Sequence, residues 1–178
     1  MSLCPKAVLA ASLLTLAPAA SPAAPAAAGV AGGVQWTVPA GWTSGAGSAM
    51  RVATYAVPAA KGAEPGECAV FFFGSGQGGG IDDNVARWAK QFEGAPLPRQ
   101  STATVAGMRV TRAEVAGTYL APGGPMMQST GKRTGYRLLG AIVEAPEGNV
   151  FFKLTGPAAT VGAAQADFDA LVASLRKR

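Results

Sequence analysis

Three glycines between a predicted strand and a predicted helix have the spacing of a dinucleotide-binding loop. Gly74, Gly76 and Gly79 fit the pattern G-x-G-x-x-G, in which backbone amides and a helix N-terminus bind a pyrophosphate. Asp82 and Asp83 follow at the start of the helix, where their charges would repel that pyrophosphate. No parallel strand is predicted after the helix. We therefore predict that the loop is a flexible connector without nucleotide, and we expect no cofactor.

Other motifs with possible chemistry are incomplete. The sequence contains no histidine, which excludes Ser-His-Asp and Cys-His nucleophiles and histidine metal sites. Asp82, Asp83 and Asn84 offer oxygen ligands to calcium, but N-capping of a helix by Asp82 explains the run more simply. Gly131-Lys132 resembles the end of a P-loop, although the next residue is arginine rather than Ser or Thr. We predict no metal site and no catalytic residue.

The cysteines do not support a disulfide. Cys4 lies in an N-terminal segment that we expect to be removed, so Cys68 would remain as the single cysteine of the mature chain. Because Cys68 lies within an apolar run, we predict a buried thiol that reacts slowly, rather than a nucleophile.

Three polar residues of the predicted helix share one side. Asn84, Arg87 and Gln91 stand at positions i, i+3 and i+7, which lie close together on a helix surface. We interpret them as a solvated face or as side chains that hydrogen-bond to neighbouring loops. A functional polar stripe is the competing interpretation.

The segment 121–135 is the longest irregular stretch predicted between two strands. Connections of this length are often binding loops or lids, or are simply mobile. Met126 and Met127 would supply an adaptable apolar contact, and Lys132 and Arg133 would supply positive charge. We predict that these four residues bind a partner, either an unidentified protein or an anionic component of the cell envelope. The competing interpretation is a tether whose methionines fold back on the sheet.

The elements that flank the glycine loop have the clearest patterns. Residues 68–73 include three phenylalanines and predict a strand buried on both faces. Residues 82–92 predict a helix with an apolar stripe that should pack on the sheet containing this strand. The stripe consists of Val85, Trp88, Ala89 and Phe92.

The whole pattern predicts an α+β fold, with a mostly antiparallel sheet flanked by helices. Hairpins are expected around the turns 106–107 and 146–149, and a final helix is expected over residues 159–175. The predicted order is β-β-β-α-β-β-β-β-α, without βαβ units. The predicted strands cover residues 34–38, 50–57, 68–73, 101–105, 108–119, 136–144 and 150–155.

The N-terminus has the pattern of a secretory signal. Lys6 precedes the apolar run 7–17, and small residues with A-x-A sites follow. We predict a signal peptide and an Ala/Pro/Gly linker over residues 1–33, a single domain over residues 34–178, and export to the periplasm or the extracellular space. The run is too short to span a membrane, so we expect no transmembrane segment in the mature chain.

The charge pattern does not indicate nucleic-acid binding. The net charge is +5, but three of the cations are residues 176–178, where they would suit the negative end of the dipole of the final helix. The other charges are scattered and nearly balanced, without interleaved aromatic residues. We therefore predict no nucleic-acid partner.

Four segments together resemble a group of uncharacterised exported bacterial proteins. These segments are W-T-V-P-A-G-W from Trp36, N-V-A-R-W-A-K-Q-F from Asn84, Y-R-L-L-G-A-I-V from Tyr136 and F-F-K-L-T-G-P from Phe151. The order of elements is also similar to that of the PsbP-like superfamily. The resemblance implies an α/β/α sandwich around an antiparallel sheet, and it carries over no metal-binding or photosystem-binding residue.

Two classes of function follow from these observations. We favour an exported, non-catalytic binding or accessory domain. The alternative is an envelope hydrolase that uses serine with lysine, because histidine-based activation is excluded.

Overall fold

The structure is a computed structural model that describes residues 27–47, 50–121 and 131–178. Within these residues the chain forms ten strands and three helices. In chain order they are β1 (Ala28–Ala31), β2 (Val34–Thr37), β3 (Thr43–Ser44), β4 (Arg51–Val57), β5 (Gly66–Phe72), α1 (Ile81–Ala89), β6 (Arg99–Val105), β7 (Met108–Ala121), β8 (Gly131–Ala145), β9 (Gly148–Pro157), α2 (Ala158–Ala163), α3 (Gln165–Ala173) and β10 (Arg176–Lys177).

Seven strands form one sheet in the order β3-β4-β5-β9-β8-β7-β6, and every neighbouring pair is antiparallel. Ala106 and Gly107 connect β6 to β7, with positive φ values of 48° and 72°. Positive φ at both residues of a two-residue loop matches the twist of the two strands that it joins. Helix α1 follows β5 in the chain, whereas β9 lies beside β5 in the sheet. The predicted α+β class, the mostly antiparallel sheet and both predicted hairpins are confirmed.

Both faces of the large sheet are apolar, because successive side chains of a strand point to opposite faces. On β9, Phe151 belongs to the apolar cluster that includes α1, whereas Val150 and Phe152 belong to the cluster that includes α2 and α3. Leu138 and Leu139 of β8 divide in the same way. Helix α1 therefore packs on the sheet that contains β5, as its apolar stripe predicts.

The remaining three strands form a second sheet in the order β1-β2-β10. Trp36 of β2 packs edge-on against Phe152 of the large sheet, with ring centroids 5.0 Å apart. Its Nε1–H donates to the hydroxyl of Tyr55 at 3.0 Å. The second sheet thus covers the same face of the large sheet as α2 and α3, since Trp36, Phe152 and Phe168 share one cluster.

Two short strands of the second sheet differ from the sequence expectation. Residues 28–31, expected in a linker, form β1, because they pair with β2 and because Gly29 has no side chain where the ring of Trp36 lies. Arg176 and Lys177, expected to follow the end of a helix, pair with Gln35 and Val34 and form β10.

The first helix has a different N-terminus from the one predicted. Gly80, rather than Asp82, occupies the N-cap position, and no side chain donates or accepts a capping hydrogen bond there. Phe92 lies beyond the end of α1 but is still 1 % exposed, because it forms an isolated bridge with Tyr119 of β7. The apolar stripe therefore continues past the regular helix.

The predicted final helix is divided into α2 and α3. Ala164 separates them with φ −86° and ψ 1°, which lies outside the range of a regular α-helix. Both halves still bury apolar residues against the sheet, including Val161 and Phe168. In the described part of the chain, no helix has the length and apolar composition needed to cross a membrane.

Strands β7 and β8 extend further than predicted. Residues 131–135, expected to be irregular, belong to β8, and residues 131–133 pair with residues 119–121 of β7. Backbone pairing along this long hairpin outweighs the low β-propensity of its glycines. Met126 and Met127 lie outside the described residues.

Candidate functional site

A cleft of about 160 Å³, named the α1 cleft, lies between α1 and the strands β5 and β9. Aromatic rings and polar groups from the helix and the sheet line it. These residues are Phe71, Phe73, Asn84, Arg87, Trp88, Gln91, Phe151 and Lys153. The described lining therefore holds two cationic side chains and no carboxylate.

Asn84 attaches the glycine loop to the start of α1. Its side chain is buried, and Nδ2 donates to the carbonyl oxygens of Gly78 at 2.8 Å and Gly80 at 2.7 Å. Its Oδ1 accepts a hydrogen bond from Nη1 of Arg87 at 3.0 Å. The predicted hydrogen bonding to a neighbouring loop is confirmed for Asn84, and the same contact positions the guanidinium of Arg87 at the cleft.

Lys153 brings an amine into the cleft from the sheet. It lies on the same face of β9 as Phe151, and its Nζ donates to Oε1 of Gln91 at 2.8 Å. The pKa of Lys153 is lowered to about 8, mainly by burial and in addition by the positive charge of Arg51, while the carboxylate of Glu67 opposes both effects. Among the described residues, Lys153 forms no salt bridge.

Aromatic rings form the apolar part of the cleft. Phe71 and Phe73 stack with centroids 6.2 Å apart and an interplanar angle of 7°, and Phe73 meets Phe151 edge-on at 5.7 Å. Trp88 lies against Gly140 of β8, where an added Cβ would be 2.1 Å from Cζ3 of the indole. The glycine therefore makes room for the ring that connects α1 to the sheet.

The predicted partner-binding cations do not line this cleft. Lys132 forms an ion pair with Glu93, and Nη1 of Arg133 donates to Oε2 of Glu64 at 2.6 Å and to the hydroxyl of Tyr136 at 2.9 Å. Each cation is thus accompanied by a carboxylate, which reduces its attraction for an anionic partner. Binding of a partner at the segment 121–135 stays a prediction.

Cys68 is fully buried, as predicted, in the cluster on the other face of the sheet, and burial raises the pKa of its thiol. The slow reaction of this thiol stays a prediction.

The glycine loop follows β5, whose two neighbours are both antiparallel, so the loop lacks the parallel βαβ setting of a dinucleotide-binding site. The described residues contain no group of three or more Cys, Asp or Glu side chains placed to hold a metal ion.

Sequence reasoning identified the helix side of the cleft and missed the sheet side. Asn84, Arg87 and Gln91 were recognisable from their helical spacing. Lys153 was not singled out, although it interrupts the apolar part of β9 on the same face as Phe151. A charged residue on the covered face of a buried strand was the available signal.

Two larger hollows elsewhere contain cations that are accompanied by carboxylates. One of about 270 Å³ lies between β6, β7 and α3 and is lined by two arginines and two carboxylates, of which Arg112 and Asp169 form an ion pair. Another of about 340 Å³ contains Arg133, which bonds to Glu64. The α1 cleft differs from both because its cations have no carboxylate in the lining.

Comparison with known proteins gives information on the fold alone. No family model matches the chain, and no curated protein matches it. Among solved structures, the chain is similar to a crystal structure of PA94, a protein of unknown function from Pseudomonas aeruginosa that is described as a candidate regulator. The TM-score is 0.50 at 14 % sequence identity, over 86 % of this chain and 97 % of PA94. The similarity supports a shared arrangement of sheet and helices.

Proposed function

We propose that this chain is an exported, non-catalytic binding or accessory domain with a PsbP-like α/β/α sandwich, and that it binds a ligand in the α1 cleft. The cleft carries the proposal, because it presents two cations and several aromatic rings without a carboxylate in its lining. A concave surface that combines apolar rings with convergent polar groups is typical of ligand sites. The apolar clusters on both faces of the large sheet support the sandwich.

A hydrolase of the Ser/Lys type is the second candidate. The lowered pKa of Lys153, about 8, favours it, since a general base works best with a pKa near the ambient pH. A serine must then lie within hydrogen-bond reach of the amine. The residues that line the described cleft include no serine or threonine, and Lys153 donates to Gln91 instead. The contacts therefore favour binding over catalysis.

The three tryptophans provide a test of the binding proposal. Trp88 lines the cleft, whereas Trp36 and Trp42 belong to the cluster on the other face and serve as internal controls. In a screen of small organic molecules followed by indole N–H NMR signals, we expect ligands that shift the Trp88 signal and leave the other two unchanged. Phe73→Ser should weaken this binding, and Leu97→Ser, at a residue 94 % exposed, should not.

The absence of any Trp88 shift across the screen would contradict the binding proposal. A shift that survives Phe73→Ser but accompanies turnover of an ester or amide would favour the hydrolase instead.

A protein partner or an anionic envelope component is proposed to dock separately at Met126, Met127, Lys132 and Arg133. Replacing all four by Ser should weaken capture of the partner from an envelope extract. Thermal stability should change little, because ion pairs between exposed side chains, such as those of Lys132 and Arg133, contribute little to stability. Unchanged capture would place the docking site elsewhere.

A further inference from the structure

The donors of the α1 cleft exceed its acceptors. An ammonium group has three N–H donors, and the amine of Lys153 uses one of them on Gln91. The guanidinium of Arg87 has five donors, and its Nη1 bonds to Oδ1 of Asn84. Since the described lining contains no carboxylate, an acceptor that carries negative charge is the complementary group.

The geometry holds these donors in place before a ligand arrives. Asn84 is fixed by two backbone carbonyls of the glycine loop, at 2.8 Å and 2.7 Å, and it fixes Arg87 in turn. Lys153 extends from a central strand of the sheet and is held by Gln91. Donors that are already oriented cost little conformational entropy on binding.

The apolar part of the cleft limits the body of the ligand. Phe71 and Phe73 lie nearly parallel, at 7°, and Phe151 and Trp88 complete the apolar lining. Flat rings pack well against such surfaces in offset or edge-on arrangements. A volume of about 160 Å³ is well below the roughly 300–1,000 Å³ of sites for drug-sized ligands, so the ligand contains about one ring.

We propose that the α1 cleft binds a small aromatic monocarboxylate, with the carboxylate on Lys153 and Arg87 and the ring among the phenylalanines. This inference rests on the proposed function of the cleft as a binding site. Charge-assisted hydrogen bonds to a carboxylate are about twice as strong as neutral ones. They therefore separate such acids from neutral compounds of the same shape.

Protonation of Lys153 adds a pH dependence to this binding. The charged groups around its amine are Arg87 on α1, Arg51 on β4 and Glu67 on β5. Because the acid binds the protonated amine and the pKa of Lys153 is about 8, affinity should change little below that pH as long as the carboxyl group of the ligand stays ionised. Above it, affinity should fall by up to tenfold per pH unit.

The test uses benzoate and phenylacetate as probes, with benzyl alcohol as the neutral counterpart, titrated into the full chain and followed by the Trp88 indole signal. We expect the acids to bind at least tenfold more tightly than benzyl alcohol. Lys153→Met should weaken binding of the acids at least tenfold. Lys90→Met, at the exposed C-cap position of α1, is the matched control and should leave affinity unchanged.

The outcomes separate this inference from the proposed function. If benzyl alcohol binds as tightly as benzoate, or if Lys153→Met binds the acids like the wild type, the carboxylate assignment is wrong and the cleft remains a binding site. The same conclusion follows if only ligands of another class shift the Trp88 signal. If no compound shifts it, both proposals fail.

Discussion

The amine of Lys153 carries a positive charge into a partly buried cleft where it has one described hydrogen-bond partner, Gln91, and no salt bridge. Water is a better environment for that charge, which is why the pKa of Lys153 falls to about 8. Such a group opposes folding while it is charged. Its position on the covered face of a central strand fits the proposed role in ligand binding.

We expect Lys153→Met to stabilise the protein near neutral pH. The pKa of lysine is about 10.4 in an unfolded chain and about 8 in this fold, so the unfolded chain binds the proton more tightly. Stability of the wild type therefore rises between these two values, and the cost of the charge is full below about pH 8. Urea denaturation should show a gain from Lys153→Met that is about 1–3 kcal/mol larger at about pH 7 than at about pH 10.5.

Lys90→Met, at the exposed C-cap position of α1, controls for the removal of a lysine. Its effect on stability should be the same at both pH values. A gain from Lys153→Met that does not depend on pH would contradict the assignment of the cost to the charge.

We expect Gly140→Ala to destabilise the protein by about 1–3 kcal/mol, the usual cost of overpacking. The added Cβ would lie 2.1 Å from the indole of Trp88, so the ring must leave its place. Chemical denaturation measures the loss, and the Trp88 indole signal reports the displacement. Gly162→Ala on α2 is the control, because its Cβ would meet no atom closer than 3.8 Å and alanine favours a helix. If Gly140→Ala is as stable as the wild type, the prediction is wrong, because the indole can then move without loss of stability.

Elements that depend on neighbouring residues could be predicted from the sequence, whereas pairing between distant strands could not. The hairpin turn at Ala106 and the stripe of α1 depend on neighbouring residues, so sequence spacing is sufficient to find them. Strand β10 has two residues and owes its conformation to Gln35 and Val34 at the other end of the chain. The α1 cleft also depends on pairing between distant strands. Lys153 contacts Gln91 only because β9 lies beside β5, on the face that α1 covers.

Removal of residues 176–178 should destabilise the protein by about 1–3 kcal/mol. The truncation deletes β10 and the hydrogen bond from the backbone amide of Arg178 to the carbonyl of Gly33, at 2.9 Å, and it exposes one edge of β2. Thermal denaturation measures the change. The control is Arg176→Ser with Lys177→Ser, which keeps the backbone pairing and removes the charges. If this double variant loses as much stability as the truncation, the side chains matter more than the pairing.

For the whole molecule, the N-terminal segment is proposed to direct export and then to be removed. Strand β1 begins at Ala28 and pairs with β2, so cleavage is expected ahead of it. The intact mass of protein recovered from the cell envelope should correspond to a new N-terminus after Ala17 and before Ala28. Leu13→Arg, which interrupts the apolar run, should prevent both export and cleavage. Recovery of envelope protein that retains Met1 would contradict the proposal.

The position of β2 between β1 and β10 has a topological consequence. The first and last described strands flank the same strand, so they lie only about 10 Å apart sideways, from two strand spacings of about 4.8 Å. Both strands are antiparallel to β2 and therefore parallel to each other, so Ala27 and Arg178 lie at opposite ends of β2. A linker that joins these ends without breaking any strand pairing must run back along the strands, as a crossover of about a dozen residues does. New termini could then be opened at the exposed turn of Ala106 and Gly107, and the circularly permuted chain should keep the strand order of both sheets.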